Sequence, residues 1–182
     1  MIKLIMEYHV YLEERREEMI PDYESDRVWR NLVRAHQDAH ESYILALAEF
    51  KKPNIDRVNL VRRSIWDGRD IPTVVAILPQ LTPDELAALF PELVFLASWI
   101  QGGAIAVRQA ILSLPKDWVV ANIESVTESM LNREDSVAEY RRLLELYSLL
   151  DPGLTRRLAS KALLQSDPEV REAGQDFLEL YG

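Results

Sequence analysis

The three histidines are the residues whose placement most invites chemistry. His36 and His40 are four residues apart, which on a helix puts both imidazoles on one face. His9 precedes Pro21 and Asp22, which mark a chain reversal. If residues 3–19 and 26–50 are antiparallel helices, position 9 lies near the level of position 34 and His9 approaches His36. Three imidazoles, with Glu7, Asp38 or Glu41 nearby, form a donor set for Zn²⁺ or another divalent ion. The ordinary alternative is packing: His36 and His40 share a stripe with Trp29, Val33, Ile44 and Leu47. No His-Glu-x-x-His or Glu-x-x-His spacing accompanies them, and the chain has no cysteine. That excludes a thiolate ligand, a thiol nucleophile and any disulfide.

Other catalytic patterns are missing. There is no glycine-rich phosphate cradle and no Gly-x-Ser-x-Gly elbow. Carboxylate pairs abound, as they do in any Glu-rich helical chain, and none is singled out by spacing. No catalytic residue is assigned and no cofactor is expected beyond that candidate divalent ion.

Four tryptophans, Trp29, Trp66, Trp99 and Trp118, form the second conspicuous set. Core packing is the expected place for most of them. Tryptophan also anchors interfaces, and Trp66, Trp99 and Trp118 are the candidates for a partner surface. Tyr8, Tyr11 and Tyr43 are expected to line the N-terminal hairpin. The acidic run Glu13–Glu18 and the basic triplet Arg156, Arg157 and Lys161 read as solvated helix faces.

The elements that must position these residues are helices. Leu, Ala, Glu and Arg are plentiful, glycines are only six among 182 residues, and no segment alternates as a strand does. One helix spans 3–19. A second starts near Ser25 or Asp26 and runs to Phe50, roughly 38 Å, before Lys51, Lys52 and the stop at Pro53. From Asn54 the helices shorten and the punctuation becomes regular. Asn54 is read as the cap of a helix to Trp66, closed by Asp67-Gly68. A short helix covers Ile71–Leu78. Thr82-Pro83-Asp84-Glu85 is a start signal with cap, first-turn proline and reciprocal glutamate. The helix it opens runs to Ile100, bent or broken at Pro91, and ends at Gly102-Gly103. Further helices are expected at Ala104–Ser113, Asp117–Leu131, Ser136–Leu150, Gly153–Gln165 and Pro168–Tyr181.

An internal repeat underlies this punctuation. Leu78-Pro79, Leu114-Pro115 and Leu150-Asp151-Pro152 recur at equal intervals, the last proline displaced by one. Ile71–Leu78 parallels Ile105–Leu112, and Val107-Arg108-Gln109-Ala110 parallels Val170-Arg171-Glu172-Ala173. With Asp167-Pro168-Glu169 before it, the last motif resembles the second helix of HEAT-like and armadillo-like repeats, although its Ala comes one residue early. The resemblance covers about residues 54–182. It implies an α-solenoid of stacked antiparallel helix pairs and use as a scaffold or adaptor. The expected fold is therefore one all-α domain over 1–182, with an N-terminal helical hairpin (1–53) followed by HEAT-like pairs (54–182). An irregular helical bundle is the alternative.

Net charge is −9. Acids exceed bases in residues 1–50 and 103–182 and balance them in 51–102, so no basic footprint for a nucleic-acid duplex exists. No apolar run approaches the ~20 residues of a membrane span, and no signal peptide is legible at Met1–Met6. The expectation is a cytoplasmic protein that binds another, basic, protein and self-associates through the N-terminal hairpin. Metal binding through His9, His36 and His40 is the alternative function; inhibitor or immunity-type binding and nucleic-acid recognition are the others.

Overall fold

Short-range capping decides where the helices begin and end. In a computed structural model, residues 23–99, 102–131 and 137–181 are described. Every regular element among them is helical: ten α-helices and one 3-10 turn. The predicted helix 3–19, with His9, Tyr8, Tyr11 and the Glu13–Glu18 run, lies outside the described residues. The chain divides into two compact units between Ile55 and Asp56, just past Pro53.

In the first unit, α1 (Tyr23–Phe50) is a 28-residue helix with no buried residue. Asp26 and Glu24 occupy its first turn, where negative charge meets the positive end of the dipole. Lys52 reaches back to Glu49 at 2.5 Å just past its end.

The second unit contains α2 (Arg57–Asp67), α3 (Ile71–Ile77), the 3-10 turn Leu78–Gln80, α4 (Pro83–Ala88), α5 (Phe90–Trp99), α6 (Ala104–Leu112), α7 (Lys116–Leu131), α8 (Val137–Leu150), α9 (Pro152–Ala162) and α10 (Pro168–Tyr181). The cap of α2 is Asp56, not Asn54: the Asp56 side chain accepts from the Asn59 N–H. Gly68, at φ 65°, closes that helix in the left-handed conformation that glycine adopts without a Cβ penalty. The predicted capping box forms at α4, Thr82 and Glu85 each satisfying the other's backbone amide. The expected break falls at Leu89; Pro91 sits in the first turn of α5, where a missing amide costs nothing. Asp151 caps α9 by accepting from Leu154 N–H at 2.8 Å, and Asp167 caps α10.

The core of this unit is built around α5. Leu93, Val94, Leu96 and Ala97 are wholly buried, so this helix is apolar around most of its circumference. It packs against α6 and α8 and, less extensively, α2, α4 and α7. The three equally spaced leucines, Leu78, Leu114 and Leu150, are all buried, and each stands just before or at a helix start. The paired motifs behave alike too. Val107 and Ala110 are buried on α6, as are Val170 and Ala173 on α10. Their arginines act differently: Arg108 reaches Glu145 on α8, while Arg171 donates to the Gln165 and Ser166 carbonyls beside its own helix.

A close helix contact joins α9 and α10. A Cβ added to Gly174 would stand 2.7 Å from the Ala159 carbonyl oxygen and 2.7 Å from the Ala162 Cβ. Small residues on both helices let the backbones come this close.

Candidate functional site

Trp66, Trp99 and Trp118 are not core residues. They are 57%, 51% and 37% exposed, and Trp29 on α1 is 63% exposed, so the expectation that most tryptophans are buried is corrected. The reason is register. On α2, Val61 and Ile65 take the inward positions, which leaves Trp66 one residue past the buried stripe.

Two of these tryptophans form one surface. Phe95 and Trp99 are four apart on α5 and therefore share a face; their rings stack at 6.1 Å and 11°. Trp66 lies against the same Phe95 at 5.3 Å and 27°. Phe95 is half-buried between two exposed indoles, which gives a row of three rings fixed on two helices. Polar bonds hold the row's supports. One turn before Trp66, Arg62 donates from Nε to Glu92 Oε1 at 2.7 Å and from Nη2 to the Ala88 carbonyl at 2.7 Å. Glu92 is buried, and its Oε2 has no hydrogen-bond partner among the described residues. Arg142 of α8 donates to the carbonyls of Ser98 and Trp99 and so satisfies the end of α5. Trp118 stands apart from this row, edge-on to Phe90 at 5.0 Å.

A second feature lies among α7, α8 and α9. A cavity of about 280 Å³ is lined by Thr127, Tyr140, Tyr147 and Gln165, with Glu124, Glu128 and Lys161 also reaching it. The Thr127 hydroxyl is 2.7 Å from the Tyr147 hydroxyl, a bond in which either oxygen can donate, and it also reaches the Ile123 and Glu124 carbonyls at 3.1 Å. Burial pushes both Tyr147 and Tyr140 above the ordinary tyrosine range. Both therefore remain phenols at neutral pH and offer hydrogen bonds, not a base or a nucleophile. Its carboxylates are engaged: Arg157 grips Glu124 through two bonds of 3.1 and 3.0 Å, and Lys161 holds Glu128 at 2.9 Å. The hydrogen bond from Arg157, against a smaller opposing effect of burial, lowers the Glu124 carboxyl. Two of the three residues of the basic triplet thus form a charge ladder between α7 and α9. The cavity can hold a small polar molecule; among the described residues that line it there is no nucleophile–base pair.

The histidines are placed in part. His36 and His40 lie on α1 with rings stacked at 6.4 Å, both exposed. His9, the third member of the predicted metal set, lies outside the described residues. Among the described residues no group of three His, Cys, Asp or Glu side chains is arranged to hold a metal ion. No described helix is long and apolar enough to cross a membrane.

Sequence reading did not single out Phe95, the ring that joins Trp66 to Trp99, although its spacing from Trp99 was a usable signal. Nor did it find the Tyr140, Tyr147 and Thr127 cluster. Tyr140 and Tyr147 are seven residues apart, but nothing local tells a tyrosine that lines a cavity from one that fills a core. Searches of protein-family models, curated proteins and solved structures found no match to this chain.

Proposed function

We propose that residues 56–182 are a small helical-repeat interaction module, with HEAT-like stacked pairs, that binds another protein through the Trp66–Phe95–Trp99 row. The row carries the reading. Two large aromatic side chains are held half-exposed by stacking on Phe95, on helices tied by the Arg62–Glu92 ion pair and by Arg142 at the Ser98 and Trp99 carbonyls. Aromatic anchors of this kind supply much of the energy of protein interfaces at low entropic cost, because they are already fixed. The buried, equally spaced Leu78, Leu114 and Leu150 and the matched Val/Ala pairs support the repeat reading. The net charge of −9 favours a basic partner.

The test is capture of partners from the native organism with wild-type protein and with the double variant Trp66→Ser/Trp99→Ser. Both side chains are exposed, so the variant should keep its fold by circular dichroism. A partner retained by the wild type and by an Arg156→Ala control, yet lost from the double variant, is the expected result. A partner set that the double substitution leaves unchanged removes the row from the interface.

A further inference from the structure

We propose that α1 is a self-association element that pairs with α1 of a second copy of this chain, antiparallel, about a two-fold axis between Gln37 and Asp38. The first observation is exposure. Trp29, Leu32 and Tyr43 are 63%, 58% and 41% exposed on a helix with no buried residue. The second is the purity of one face. On the side bearing these residues, no Asp, Glu, Lys or Arg intervenes between Arg27 and Glu49, because Arg30, Arg34, Asp38 and Glu41 all fall on the other side of the helix. Ile44 and Leu45 are exposed outside this stripe.

Side-chain size selects the partner and its direction. Trp29, His36, Tyr43 and Phe50 recur every seven residues, the period of a paired-helix seam. Ser25, Leu32, Ala39 and Ala46 alternate with them. Antiparallel pairing on the stated axis sets Trp29 against Ala46, His36 against Ala39, Tyr43 against Leu32 and Phe50 against Ser25. Every layer then joins a large side chain to a smaller one, and all four layers follow from a single register. Parallel pairing would stack Trp29 on Trp29 and Tyr43 on Tyr43 and leave alanine facing alanine between them, a sequence of crowded and empty layers.

Charge does not choose the direction: Arg27, Arg30 and Arg34 share the first half of α1 with Glu24 and Asp26, and Arg27, Arg30, Arg34, Asp38 and Glu41 all lie away from the seam.

Sedimentation equilibrium of the full chain tests the association, and thiol cross-linking tests the register. The chain has no cysteine, so introduced thiols report without background. Val28 and Glu49 flank the seam at opposite ends and meet across the two-fold. Mixed Val28→Cys and Glu49→Cys chains are expected to join through a short bismaleimide, and neither should join to itself. Ala39→Glu sets a carboxylate into the middle layer and should raise the dissociation constant by about two orders of magnitude, with the melting of the second unit unchanged. A monomer throughout the micromolar range overturns the proposal; that is also what would be seen if the chain's own first residues cover the stripe. Self-joining of Val28→Cys overturns the register, and a dimer indifferent to Ala39→Glu moves the contact to another surface, such as the Trp66–Phe95–Trp99 row.

Discussion

Helix α1 and the pair α9–α10 are all amphipathic, yet they end in opposite circumstances. In α9 five of eleven residues are buried, Leu154, Thr155, Leu158, Ala159 and Ala162, and α10, packed on both α8 and α9, buries Val170, Ala173, Gly174 and Phe177. In α1 none of 28 is buried. A periodic apolar stripe states that a helix has something to cover; it does not name the cover. For α9 the cover is α8 before it and α10 after it, the latter brought close by a glycine that lets the two backbones meet. For α1 the large-against-small order of the stripe points to a second copy.

Truncating the core of α9 gives the largest expected difference between the two regions. Leu154→Ala should lower stability by about 2–5 kcal/mol, because the residue is wholly buried. Leu32→Ala, read on protein dilute enough to be monomeric, should change it by no more than about 0.5 kcal/mol. Denaturant unfolding followed by circular dichroism measures both, and equal costs would show that the face of α1 is already covered within one chain.

Crowding that close contact comes next. Gly174→Ala places a methyl 2.7 Å from the Ala159 carbonyl oxygen and should cost about 1–3 kcal/mol. Ala48→Leu, on the exposed charged side of α1, should cost under about 0.5 kcal/mol. Hydrogen exchange would place the first loss in α9 and α10. An unperturbed Gly174→Ala protein would mean that these helices can separate freely, and the contrast with α1 would weaken.

A cap is worth less. Asp151→Ala removes the acceptor for the Leu154 amide and should cost about 1 kcal/mol, seen as faster exchange in the first turn of α9.

Acid is the gentlest test. Burial pushes the Glu85 carboxyl up, but the Thr82 amide, the Arg57 guanidinium and the Thr82 hydroxyl together outweigh it and leave the group below its ordinary value. Arg157 lowers Glu124 as well. A carboxyl lowered on folding contributes stability above its unfolded value, near 4.5, and loses that contribution as pH falls through the folded value. Stability of the second unit should therefore drop below about pH 4.5, and Glu85→Gln should flatten that drop while leaving the exchange of α1 unaltered.

The candidate surface was only partly legible in the sequence. Trp66 and Trp99 could be named as anchors from residue type alone. Their stacking through Phe95 could not, because it depends on how α2 crosses α5. Glu92 shows the same limit: it reads as a surface carboxylate in the first turn of α5, and it is buried because Arg62 arrives from α2 to pair with it.

Local chemistry is what this sequence determined by itself. Thr82-Pro83-Asp84-Glu85, Asp67-Gly68 and Asp167-Pro168 start and stop helices where they stand, because a cap, a first-turn proline or a left-handed glycine acts within one turn and needs no distant partner. Coverage was decided only by the tertiary structure. Which tryptophans stay in water, which tyrosines line a cavity and which carboxylate is buried all depend on side chains some 20 to 30 residues away in the chain, since burial belongs to a pair of surfaces and a sequence stripe describes only one of them.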